Sequence, residues 1–181
     1  MPGPYALDFR GIPDVLAQNA TIRNKVAALV ASEPMPGRVT EGGTRVEQSR
    51  AILQSFVAGD IDLREAYRRT AAELPRSTSI HASSNRVFAD GWAERHVRTQ
   101  LSRFYNHAVM EMLLAEGITT GRVAHSRDEE HDCGLIRGGP TFDLTGLRDR
   151  SVAAYRDGNW DGPGPRIPDH PHCTHAISPP E

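Results

Sequence analysis

The run Arg98-Thr-Gln-Leu-Ser-Arg-Phe-Tyr-Asn-His-Ala-Val-Met-Glu-Met-Leu-Leu-Ala-Glu-Gly117, followed at once by Ile-Thr-Thr-Gly-Arg-Val-Ala124, decides how this chain reads. Upstream of Gly117, Val87, Trp92, Val97, Leu101, Phe104, Tyr105, Ala108, Met112 and Leu113 recur at helical steps. They predict one long helix over 85–116, about 45 Å at 1.5 Å per residue. Gly117 is its natural stop, because glycine accepts the left-handed backbone that closes a helix. Beyond it the texture changes to short apolar runs among Gly, Pro and acidic residues. Gly121–Ser126 reads as a strand, 128–133 as an acidic turn, and Gly138–Leu144 as a turn and then a strand. A short helix is expected near Arg148–Tyr155, then a Gly/Pro loop at 158–165. The stretch 170–177 reads as a knuckle that leads into a last strand. The fold class is therefore α+β and mostly helical, with a long helix feeding a small β-containing Cys/His knuckle.

Toward the N-terminus, 1–14 is rich in Pro and Gly and reads as an extended arm. Val15–Ala31 carries an imperfect helical stripe, and the breaker cluster over 33–43 reads as a loop or hinge. Arg45–Ala58 forms a second stripe closed by Gly59. Asp62-Leu-Arg-Glu65 has the form of a capping box, with Asp62 as N-cap and Glu65 reaching back. Leu63–Leu74 continues it until Pro75, so these two helices should make an αα-hairpin. The chain divides into an arm, helix and hinge over 1–43, a helical region over 44–117, and a β-containing C-terminal region over 118–181.

Composition narrows the function classes. The chain has 181 residues, 38% of them hydrophobic and 24% charged, enough for one domain with a modest core. A net charge of −2 argues against a generally basic nucleic-acid binder. No apolar run approaches the roughly 18 residues of a membrane span. The first residues show neither a basic nor an apolar leader segment, so no secretory signal is expected. The charge is unevenly spread: residues 125–181 hold 6 basic and 10 acidic side chains. The same third holds both cysteines and His125, His131, His170, His172 and His175, which is 5 of the 8 histidines.

Two Cys/His clusters stand out, Asp128-Glu-Glu-His-Asp-Cys133 and His170-Pro-His-Cys-Thr-His175. Zinc takes four tetrahedral nitrogen or sulfur ligands, and structural sites draw them as two close pairs from two turns. His131 with Cys133, and Cys173 with His175, would supply two nitrogens and two thiolates. Each pair is spaced more tightly than in ordinary zinc fingers. A Cys133–Cys173 disulfide would give the same sequence. So would reduced thiols with the histidines hydrogen-bonded to loop carbonyls.

Four stretches together resemble the phage Mu F-type minor head protein family, the head morphogenesis proteins that include portal-associated minor capsid proteins. They are Arg98–Asn106 with Ala115-Glu-Gly117, Arg122–Ser126 with Asp128, Gly139-Pro-Thr-Phe-Asp-Leu144, and His170–His175. The resemblance spans about residues 85–178. Where the family pattern has cysteines, His131 and His175 stand here, which keeps ligand-capable chemistry. Whether His170 or His172 replaces His131, or orients a ligand from outside, stays open. The resemblance implies a structural protein assembled in the bacterial cytoplasm and carried in the virion at the head or portal vertex, where it acts in head assembly or in DNA packaging and ejection. It implies the portal or major capsid protein as partner, packaged DNA as a further one, several copies per particle, no membrane and a structural zinc. A head–tail neck adaptor is the nearest alternative.

An enzyme is the contrasting reading. An HNH-like metal-dependent nuclease also combines histidines, an acidic turn and a cysteine-bearing knuckle, but it needs a basic face toward DNA, and this third is acidic. The zinc-deaminase signature, the phosphate-binding P-loop and the Gly-x-Ser-x-Gly elbow do not occur. The expectation is that the chain is no enzyme. Trp92, Phe104 and Tyr105 are expected in the core or in a helix–helix seam, Arg95, Arg98 and Arg103 on a solvated face, and Trp160 as a loop anchor.

Overall fold

A computed structural model describes residues 12–33, 43–73, 92–124, 141–157, 163–168 and 175–180. The expected stripe over Val15–Ala31 is two helices, α1 (Ile12–Gln18) and α2 (Ala20–Ser32). Asn19 divides them. Its backbone is extended, and its side-chain oxygen accepts the Ile22 amide at 3.1 Å. That N-cap satisfies one of the amides a helix start leaves open, which explains why the apolar spacing looked imperfect. The expected arm also ends earlier than read. Ile12 and Leu16 are buried on α1, and Pro13 falls in its first turn, where a missing amide costs nothing.

α3 (Gly43–Ala58) and α4 (Leu63–Glu73) pack against each other as the expected hairpin. Gly59, at φ +86°, donates to Phe56 O at 3.0 Å, and Asp60 donates to Ser55 O at 2.9 Å. This is the Schellman pattern, in which a left-handed residue satisfies carbonyls that the helix leaves open. Asp62 caps α4 through the Glu65 amide at 2.7 Å. The reciprocal half of the capping box is replaced: the Glu65 carboxylate takes both Arg68 nitrogens at 2.6 Å.

α5 (Trp92–Ala115) is the axis of the fold. It touches α1, α2 and α4. Residues 101–106 are all buried, so this segment is covered on every side rather than along one stripe. Phe104, Tyr105, Ala108, Val109 and Leu113 are fully buried. Each large apolar side chain of this kind is worth about 1.5–3 kcal/mol against exposure. α5 stops where the sequence says. Gly117, at φ +79°, donates to Leu114 O and Ile118 donates to Leu113 O, again the Schellman pair.

Among the described residues, three short strands follow. β1 (Thr120–Ala124) lies between β2 (Thr141–Asp143) and β3 (Ala176–Ser178), and both pairings are antiparallel. Gly121 faces Phe142 across one ladder, and Val123 faces Ile177 across the other. The second strand was expected to run to Leu144, but Leu144 already opens α6 (Leu144–Asp157), which therefore starts before the expected Arg148. Asp143 makes the change. It ends β2 and accepts the Gly146 amide at 2.6 Å, an N-cap that starts a helix on the next residue. α6 packs on α5 and also anchors the 163–168 segment. Its Ser151 hydroxyl donates to Leu147 O at 2.7 Å and accepts the Ile167 amide at 2.9 Å, while Arg150 Nε donates to Pro165 O at 2.9 Å. One apolar cluster runs from Ile12 to Ile177, so helices and sheet share a core.

Candidate functional site

The C-terminal strand packs on the long helix, and Asn106 hydrogen-bonds the two together. Asn106 sits in the middle of α5 and is fully buried. Its amide nitrogen donates to Ser102 O at 2.9 Å, approaches Ser102 Oγ at 3.3 Å, and donates to His175 O at 3.2 Å. Its Oδ1 accepts the Ile177 amide at 2.8 Å. A buried amide is costly unless its donors and acceptors are met. Here both donors and an acceptor are met, two of the bonds reaching across 69 and 71 residues of chain.

His175 immediately precedes β3 and is fully buried. It is the one proposed zinc ligand among the described residues. His131, Cys133 and Cys173 lie outside them, as do His125, His170 and His172. Among the described residues no three metal-capable side chains converge, as expected when most of the set falls elsewhere. The fit to zinc rests on donor chemistry: two thiolates and two imidazoles are a zinc set, and the one imidazole on view has a backbone held in place.

A second polar cluster joins α2, α5 and α6. The Glu111 carboxylate receives Arg148 Nη1 at 3.0 Å, and lies 3.7 Å from His107 Nε2 and 3.8 Å from Lys25 Nζ. Glu33, the C-cap of α2, stands 3.9 Å from His107 Nδ1. Arg50, from α3, donates to Val30 O and to Glu33 O, and so caps the carbonyl end of α2, where a cation is favoured. Burial pushes the His107 imidazole below its ordinary value. Glu33 and Glu111 oppose that shift, while Arg103 and Arg148 add to it. At neutral pH His107 is therefore uncharged, and Arg148 is the stronger partner of Glu111.

A third pair links α3 to α5. Ser49 Oγ lies 2.7 Å from His96 Nε2. Burial lowers the His96 pKa, so its neutral ring can share a hydrogen bond with the hydroxyl. A Ser–His contact suggests nucleophilic chemistry, but Ser49 is only 5% exposed, so the pair as placed serves the helix seam.

Of the arginines expected on a solvated face, Arg98 is exposed. It bonds Tyr67 Oη at 2.9 Å and Glu94 at 2.8 Å. Arg103 corrects the expectation. It is buried, with its guanidinium 4.6 Å from the Phe104 ring centroid and its Nη1 3.4 Å from Gln100 Oε1. Phe104 and Tyr105 are core as read, while the Trp92 and Arg95 side chains and Trp160 lie outside the described residues. No protein-family model, curated protein or solved structure matches the chain. Among the described residues, no helix is long and apolar enough to cross a membrane.

Proposed function

We propose that this chain is a structural minor head protein of a phage. It acts in head assembly, or in DNA packaging and ejection, at the portal vertex, with the portal or major capsid protein as partner and packaged DNA as a further one. In this reading the C-terminal region is stapled by zinc held by His131, Cys133, Cys173 and His175, and the chain catalyses nothing. Virion placement, partners and zinc come from the resemblance and from the Cys/His spacing. The observation that supports the reading is that the described parts of its motif segments adjoin one another. The Arg98–Asn106 helix, the strands at 120–124 and 141–143, and the closing strand form one unit, and Asn106 bonds directly to the closing strand. A short sheet of this kind buries too little to stand alone, so a metal there has a stabilising task.

Elemental analysis of the purified full chain tests the staple. One zinc per chain is expected, lost in Cys133→Ser together with melting of the C-terminal third. Co-purification with a phage portal protein tests the placement. Plasmid nicking that His131→Ala abolishes would overturn the structural reading in favour of the nuclease. Protein density in the neck of intact particles, and not in the head, would favour the adaptor.

A further inference from the structure

Glu111 lies where α2, α5 and α6 meet, and its two oxygens serve different partners. Lys25 Nζ of α2 stands 3.8 Å from Oε2. Oε1 takes Arg148 Nη1 of α6 at 3.0 Å, and that same oxygen is 3.7 Å from His107 Nε2. The His107 side chain is only 12% exposed, and its other nitrogen, Nδ1, lies 3.9 Å from Glu33 Oε1 at the end of α2. Neither distance is that of a hydrogen bond, so the neutral ring stands off from both carboxylates. A proton on the ring changes this, because two cations would then claim Glu111 Oε1. Arg148 is the one that can give way. It already holds a second carboxylate, with Asp149 Oδ1 3.0 Å from its Nε and 2.9 Å from its Nη2.

Among the described residues, the charges that act on the ring are Glu33 of α2, Glu111 and Arg103 of α5, and Arg148 of α6. Lys25 of α2, Arg50 of α3 and Asp149 of α6 adjoin them. α1, α4 and β3 also pack on α5 but add no charge to this set. With three carboxylates and four cations in place, a charged ring would be the fifth cation.

We propose that His107 is a proton-operated latch for α6: the charged ring takes Glu111 from Arg148 and loosens α6 on α5, while α2 stays held through Glu33. Linkage fixes the direction. Arg148 hinders protonation of the ring and Glu33 favours it, so the proton in turn weakens the Arg148 contact and strengthens the Glu33 contact. Burial also hinders the charge, which places the exchange below the ordinary histidine value of about 6.5. The loosening passes on to the 163–168 segment, which Arg150 and Ser151 of α6 hold through Pro165 O and the Ile167 amide. A partly exposed ion pair of this kind is worth a factor of about 1.5–5 in local opening. The latch does not depend on zinc, so the failure of either reading leaves the other standing.

Amide exchange of the full chain, corrected for the pH dependence of the chemical rate, is followed from pH 7.5 to 5 alongside the His107 ring signals in NMR. That window stays above the ordinary glutamate value of about 4.3. The expected result is a His107 titration within it, and protection over 148–154 in α6 that falls about 1.5–5-fold relative to 26–30 in α2. His107→Gln should remove the difference. Arg148→Gln should leave α6 equally loose at both pH values and raise the His107 pKa. A ring still neutral at pH 5, α2 loosening as much as α6, or the same relative loss in His107→Gln would overturn the proposal. If His107→Gln does not fold, Arg148→Gln decides: protection of α6 that still falls with pH relative to α2 in that variant refutes the latch.

Discussion

Gly121 sits in the central strand, where glycine ordinarily weakens a sheet, and the surrounding atoms explain its presence. A Cβ built there falls 2.6 Å from Leu144 Cδ2, 3.2 Å from Ser178 O and 3.3 Å from Ile177 Cγ2. Carbon atoms rest at about 3.5–4.0 Å, so in Gly121→Ala the leucine must withdraw by about 1 Å. It has little freedom to do so. Leu144 is fully buried, and its amide is bonded to Thr119 O at 2.9 Å, which holds the first turn of α6 against the sheet. The Ser178 oxygen is main chain of β3 and can move only with that strand. Overpacking of this kind costs about 1–3 kcal/mol. Removing glycine's freedom in the unfolded chain returns about 0.5–1 kcal/mol. The net loss is at most about 2.5 kcal/mol and about 1 kcal/mol at mid-range, the latter a fall in Tm of roughly 2–4 °C for a chain of this size. Thermal and urea unfolding of Gly121→Ala measure it. The double variant with Leu144→Ala identifies the cause, because the alanine at 121 should then cost less than it does alone. If Gly121→Ala is as stable as wild type or more so, the close approach of α6 to β1 is wrong.

Gly117→Ala places a Cβ in open space at φ +79°, so its whole cost is backbone strain, about 1–2 kcal/mol; Gly117→Asn should recover part of it, and equal midpoints for wild type and Gly117→Ala would refute the left-handed cap. Acid should weaken the fold through His96. Burial holds its pKa below the ordinary value of about 6.5, so the native state resists protonation; this contribution is complete above that pH and is lost as pH falls through the folded value. His107 acts in the same direction. Unfolding free energies from urea titrations should fall between pH 7.5 and 5 by at most about 1.4 kcal/mol per pH unit for each group, and less steeply in His96→Asn. Equal slopes in wild type and variant would remove His96 from the account.

The helical half was legible because helix formation leaves local marks. The stripe on α5, the stops at Gly59 and Gly117 and the cap at Asp62 all lie within a few residues of the feature they cause. The errors have a shared origin. Asn19 and Asp143 each serve the element they end and the one they begin, so a residue read as part of a helix or a strand proved to be a boundary. Glu65 had two partners within reach, and the charged Arg68 prevailed over a backbone amide, since a bidentate ion pair is the stronger contact. The site was less legible. Asn106 entered only as the end of the Arg98–Asn106 stretch, and periodicity reports which face is buried without naming the distant group that meets it. Ser49 with His96, and Glu111 with Arg148, are likewise contacts across helices that local spacing does not encode.

These long-range contacts bear on why the tail of the chain folds at all. β2 and β3 have three residues each, and a sheet so short has few ladder bonds to offset the entropy of ordering its strands. The missing bonds are supplied from helices: Asn106 on α5 bonds β3, and Ser151 on α6 bonds the segment leading toward it. Such a unit inherits its order from α5, so mutations in the helix seam should loosen the tail before they unfold the seam. It is also the part of the molecule where a ligand that binds only the folded state adds most. A metal present at 100 times its Kd would contribute about 2.7 kcal/mol, comparable to the largest penalty worked out for Gly121→Ala. Zinc should therefore rescue that variant's Tm if the C-terminal region holds the metal, and should leave it unmoved if the tail depends on hydrogen bonds and packing alone.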